Sequence, residues 1–205
     1  LAKSWYRTIR DLLPVPAHSE NSFNPRSIPV TRHARCYLYD MTRIEFLQFE
    51  APRLLTTISP DTKPAWGKMN LQQMIEHMSD SVRQANGRDP QDCINPADIV
   101  PKMQAFLMSE VPFKENTVNK LLPEDPLPPR FDNVDDAIGE LQQELNEFVD
   151  VFDQDKQKTI TNPFFGDLNF ELWVALLYKH MLHHLRQFGV VPGPVEAVSA
   201  VDLGA

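Results

Sequence analysis

From residue 41 onward the apolar positions recur at steps of three and four, the period of an amphipathic helix. Ile44, Leu47, Phe49, Leu54, Leu55 and Ile58 form a loose first set, with Pro52 marking a kink or boundary. The stretch S-P-D-T-K-P-A-W-G then reads as a connection. Asn70 precedes L-Q-Q with Gln73 three residues on, the signature of an N-cap. Leu71, Met74, Ile75, Met78 and Val82 follow on one helix face, and Asn86-Gly87 stops it. A third helix is expected over 98–109, with Ile99, Met103, Phe106 and Leu107 inward. Residues 110–132 are irregular and should shape the mouth of any pocket. Asp132 or Asn133 starts the clearest helix, with Asp135 and Asp136 in its first turn and Ala137, Leu141, Leu145, Phe148 and Phe152 as its stripe. Asn162-Pro163-Phe164-Phe165-Gly166 reads as a turn, and Asn169 opens a last helix that runs to Phe188 and ends at Gly189. Little alternates with period two. The pattern therefore predicts an all-α bundle of four or five helices with long crossovers.

The first forty residues lack this period. They are expected to be a poorly ordered extension, with Met41 the natural first residue, residues 41–192 the folding unit and 193–205 a flexible tail. Eighteen prolines are many for a helical chain, but they gather at the two ends and in the crossover, as at Pro123, Pro126, Pro128 and Pro129. The net charge of −8 is unevenly spread. Residues 1–40 hold six Lys/Arg against three Asp/Glu, and residues 41–205 hold fourteen against twenty-five. So acidic a body argues against nucleic acid or an anionic membrane as partner. No apolar stretch approaches the ~18–20 residues of a membrane helix, and the first forty residues show no 7–15-residue apolar stretch with a small-residue cleavage site, so a secretory signal is not expected there. Cys36 and Cys93 are far apart and outside any C-x-x-C pattern, which suits a cytoplasmic protein without disulfides or a thiolate zinc site.

Four of the six histidines fall in the helical body: His77, His180, His183 and His184. His180 and His184, spaced i, i+4, project from one helix face and can share a metal. His77 lies beside the apolar stripe of Met74 and Met78 and points into the bundle. If the two helices are neighbours, three neutral imidazoles converge into a site for a divalent metal with open positions. A lone H-x-x-x-H is a weak signal, however, and a single His on an apolar face is more often an ordinary core residue. His183 sits one position off the pair's face, so it should lie beside the site or be exposed. Gln187, i+3 from His184, is placed to hydrogen-bond a ligand or a metal-bound water.

Two segments, W-G-K-M-N-L-Q-Q-M-I-E-H-M (66–78) and N-P-F-F-G with Y-K-H-M-L-H-H-L-R-Q-F-G (162–189), resemble the DinB-like superfamily, specifically its DUF1569 branch. The resemblance covers about residues 41–192. It implies an up-and-down four-helix bundle with a long crossover loop, commonly a homodimer. It also implies a metal on one His of the second helix and two of an H-x-x-x-H in the last, which fall on His77, His180 and His184. Zn, Ni, Mn and Fe are all admissible. Relatives are often thiol-dependent transferases using a low-molecular-weight thiol such as bacillithiol, mycothiol or glutathione; others isomerise or hydrolyse. The implied reading is a thiol S-transferase or hydrolase acting on a small electrophilic substrate, with His183 and Gln187 as catalytic helpers. The alternative is a non-catalytic dimeric binding or accessory module. The branch often carries His before P-F-F-G, where this chain has Asn162, so any acid-base role there is lost.

Other residues have bland readings beside the functional ones. Trp66 and Tyr178 are candidate pocket walls, although packing is the commoner role for such residues. Arg186 can bind a carboxylate, or simply pair or be solvated on the last turn. Glu76 is expected in solvent, since one residue from His77 is about 100° around the helix and the H-E-x-x-H pattern is absent.

Overall fold

A computed structural model describes residues 42–117 and 119–190. The expectations for 1–40 and for 193–205 lie outside the described residues. Asparagines open three of the helices. Asn70, Asn133 and Asn169 have extended backbones, and their side-chain oxygens accept from the N–H three residues on, at Gln73, Asp136 and Leu172. Gln73 closes a capping box by accepting from the Asn70 N–H. The helices so opened are α2 (Leu71–Ala85), α4 (Val134–Gln154) and α5 (Phe170–Gln187). Shorter α3 (Val100–Met108) precedes the crossover.

The first helix, α1, is continuous but not uniform. Its segments Arg43–Glu45 and Ala51–Leu55 are α-helical and flank a π turn at Phe46–Glu50. Pro52 has no N–H to give to the preceding turn, and the wider turn before it lets the chain continue without a break. Phe46 and Leu47 are therefore buried. Phe49, expected inward, is 66% exposed, because two residues from Leu47 is about 200° around a helix. Ile99 departs too: it lies at the solvent-facing start of α3, where only Leu107 is fully buried.

The core is one cluster drawn from all five helices. Leu71, Met74, Ile75, Met78 and Val82 of α2 join Ala137, Leu141, Leu145, Phe148 and Phe152 of α4 in it. Burying a large apolar side chain contributes roughly 1.5–3 kcal/mol, so these stripes hold the bundle. One element was not anticipated. Ile160–Asn162 (β1) and Gly166–Leu168 (β2) pair as a small antiparallel hairpin around the predicted aromatic turn. The Asn162 oxygen accepts from the N–H of Phe164 and Phe165, so this residue builds the turn. The hairpin is pinned to α5 by the Trp173 indole N–H, which donates to the Ile160 carbonyl at 3.0 Å.

From Ser109 to Asn133 the described residues form no helix or strand. This crossover is held by side chains of the helices it covers. Glu76, expected in solvent, is 4% exposed. Its carboxylate accepts from the backbone N–H of Arg130 at 2.7 Å and of Phe131 at 3.3 Å, and from Gln72 Nε2 at 3.0 Å. The crossover covers this face of α2 and gives the buried charge its partners. Among the described residues no helix is long and apolar enough to cross a membrane.

Candidate metal centre

α2 brings His77 against the face of α5 that carries His180 and His184. His77 Nε2 lies 3.1 Å from His180 Nε2, which lies 2.9 Å from His184 Nε2. The one nitrogen each ring offers lies within 4.8 Å of the other two. Metal–imidazole bonds of about 2.0–2.1 Å place two ligand nitrogens about 3.0 Å apart at a right angle and about 3.4 Å apart at a tetrahedral one. The two short separations fit that range.

The tautomer of His184 follows from its neighbours. Gln187 Nε2 donates to the Trp66 carbonyl at 2.6 Å, because a carbonyl can only accept. That turns Gln187 Oε1 toward His184 Nδ1, 2.8 Å away, so Nδ1 carries the proton. His184 Nε2 then presents a lone pair to the trio. Neutral rings can place at most one useful proton among the three nitrogens, so the two short contacts cannot both be full hydrogen bonds. A divalent cation would meet three lone pairs at once, and the donor set fits such an ion. Burial also favours the unprotonated rings. It pushes His77 down to about 4 and His184 to about 3, and holds His180 well below the usual imidazole value, with the neighbouring histidines adding to the effect.

Gly67 makes this relay possible. Its φ of +78° is a left-handed conformation, and a Cβ there would meet Gln187 Nε2 at 2.9 Å. The same loop is tied to the end of α5 by the Ala65 N–H, which donates to the Gln187 carbonyl at 2.8 Å.

His183 does not enter the trio. Its ring packs edge-on against Trp66 at 5.5 Å and lies 5.2 Å from His184. Burial, and then the Arg186 charge, lower its pKa. His183 Nδ1 and Trp66 Nε1 are both buried without a hydrogen-bond partner, so two polar atoms stand unpaired beside the trio. Phe113 of the crossover lies 6.2 Å from the His180 ring and 6.3 Å from that of His183, closing this side with an aromatic wall. Trp66, one of the two candidate walls, is thus beside the trio, packed on His183. Tyr178 is not: it faces away from the trio, edge-on to Phe46 at 5.2 Å and beneath the Arg43 guanidinium. Arg186 pairs with no carboxylate among the described residues. Lys179, which sequence reasoning passed over, is 8% exposed and donates to the carbonyls of Ser109 and Val111, each at 2.7 Å. Only a lysine within an otherwise apolar helix stretch hinted at it.

The family profile of the DinB superfamily matches residues 50–188, a span that includes all three clustered histidines. Comparisons with curated proteins and with solved structures give no significant match.

Proposed function

We propose that this chain, which belongs to the DinB superfamily, is a metal-dependent enzyme, either a thiol S-transferase or a hydrolase, acting on a small electrophile. The observation that carries this reading is the convergence of three imidazole nitrogens, one held in its tautomer by Gln187. Three protein ligands leave a divalent ion with open positions, whereas structural zinc usually takes four. When bound there, the ion would supply Lewis acidity, favouring the anionic form of a thiol or water at neutral pH. His77, His180 and His184 would hold it. Gln187 fixes His184 Nδ1 as a donor. Near the trio, the Trp66 indole N–H would donate a hydrogen bond to a substrate, and His183 Nδ1 would bind one or exchange a proton. Phe113 limits water on that side.

The finer placement is in the DUF1569 branch, supported by N-P-F-F-G and K-H-M-L-H-H-L-R-Q-F-G. A homodimer is part of the same reading, and sedimentation equilibrium checks it. The test of function is elemental analysis of the wild-type chain and of His180→Ala, with turnover of a generic electrophile in the presence of glutathione, bacillithiol or mycothiol, and of water alone. The expected result is one divalent ion per chain, lost in His180→Ala together with turnover. Unchanged metal in the variant would remove the site. A loaded wild type without turnover in any arm would instead make the chain a non-catalytic accessory module.

A further inference from the structure

On the side of α5 away from His180 and His184, cationic side chains line a cavity of about 60 Å³. Tyr178, Lys179 and Arg186 line it from α5, Arg43 from α1 and Glu110 from the crossover. At about 100° per residue, positions 178, 179, 182 and 186 fall away from the face of His180 and His184, so this cavity lies apart from the three clustered nitrogens, with His183 between the two faces.

Its charges are not balanced. Lys179 is buried and spends two N–H groups on the Ser109 and Val111 carbonyls, with its ammonium 4.9 Å from the centre of the Phe106 ring. Its hydrogen-bond partners are neutral; burial lowers its pKa, Glu110 opposes that shift, and the Arg43 and Arg186 charges add to it. Arg43 has Glu110 at 3.7 Å, but that carboxylate is 98% exposed and screened by water. Arg186 has no carboxylate partner among the described residues. Three cations thus meet one solvated anion, in a body where residues 41–205 hold twenty-five acids against fourteen Lys/Arg. An acidic protein has carboxylates to spare for neutralising such a cluster, and among the described residues only the exposed Glu110 lines the cavity.

We propose that this cavity binds a small oxyanion, with the Arg186 guanidinium as its principal donor. The planar fork of Arg186 suits a carboxylate or phosphate group. Arg43 flanks it, and Lys179, anchored in place, supplies charge without needing to move. The volume admits a group of four or five heavy atoms, either inorganic phosphate or the carboxylate end of an organic acid. At a ceiling of about 1.5 kcal/mol per heavy atom, ligands of that size bind with a Kd no tighter than roughly the low micromolar range.

The test is calorimetric titration of the full chain with sodium phosphate and with sodium acetate, at constant ionic strength. It uses the wild type, Arg186→Ala, Glu110→Gln and His180→Ala. Saturable binding at one anion per chain is expected in at least one arm, and the stronger arm identifies the source. Arg186→Ala should weaken it at least about tenfold. Glu110→Gln should bind the anion at least as tightly as the wild type, because a carboxylate so exposed neutralises little of the cluster. His180→Ala should bind the anion as the wild type does, so failure of the metal reading leaves this one standing. No saturable binding in either arm, equal binding in Arg186→Ala, or weaker binding in Glu110→Gln overturns the proposal.

Discussion

A histidine holds a metal only through a nitrogen that carries no proton, and Gln187 decides which nitrogen of His184 that is. The relay runs from the Trp66 carbonyl through the Gln187 amide to His184 Nδ1. In Gln187→Leu the ring is free to take either tautomer, and the Trp66 carbonyl loses its donor. Metal affinity is expected to fall about 10–100-fold, the usual effect of losing such a partner, while the helix content by circular dichroism stays unchanged. Calorimetric titration with Zn2+ measures it, and wild-type affinity would mean that the amide orients nothing. The same burial that favours bare nitrogens makes the metal-free chain sensitive to acid. The folded pKa values of His77 and His184, about 4 and about 3, lie below the ~6.5 of an unfolded histidine. The unfolded state therefore binds more protons between those values, and stability rises with pH. It is present in full above about pH 6.5 and is lost progressively as the pH falls through about 4. Urea midpoints taken from pH 7.5 to 4.5 in chelator, compared with those of His77→Asn, should show a steeper loss in the wild type. Parallel profiles would mean that the imidazoles are hydrated.

At the level of elements, the sequence pattern located helices well and their long-range partners poorly. The stripes of α2 and α4 and the asparagine caps are local signals, complete within a few residues, and they place His77 on the inner side of its helix. The i, i+4 pair likewise needs nothing outside α5. What failed depends on distant chain. Glu76 is buried only because Arg130 and Phe131, more than fifty residues on, give it their N–H groups. Lys179 is anchored by carbonyls about seventy residues before it. Phe49 is a local exception: two residues from Leu47 is about 200° around a helix, so the two cannot both face inward. Strands of three residues are too short to alternate visibly, which hid the hairpin. The Glu76 network makes the crossover part of the fold. Glu76→Ala leaves two backbone N–H groups unpaired and should cost about 2–3 kcal/mol, read as a lower urea midpoint. A change within error would mean that water replaces the carboxylate. The 66–67 loop bears on the site in the same way. Gly67→Ala combines a left-handed φ with a Cβ 2.9 Å from Gln187 Nε2, so it should weaken Zn2+ binding in the same titration as Gln187→Leu does. Binding as tight as in the wild type would show that the loop gives way without disturbing the amide.

For the whole molecule, the consequence of the trio is that it joins α2 to α5, elements about a hundred residues apart in the chain. The contact is built from groups that repel or compete without an ion: two short nitrogen contacts share at most one useful proton. An ion bound there is linked to folding, since the unfolded chain cannot hold three histidines so far apart in one geometry. At a metal concentration a thousandfold above Kd the linkage contributes about 4 kcal/mol. For a folding unit of this size that corresponds to a Tm shift on the order of 10 °C. Thermal unfolding of the wild type should therefore move down by that amount on chelation and recover when Zn2+ is restored. His180→Ala should show the same Tm with and without metal, while Arg186→Ala, on the far face of α5, should keep the full metal-dependent increment. If His180→Ala still responds to Zn2+, the stabilising ion binds elsewhere and the trio is an ordinary buried cluster. If neither wild type nor variant responds, the three lone pairs meet without an ion, and the bundle is stable on its apolar core alone.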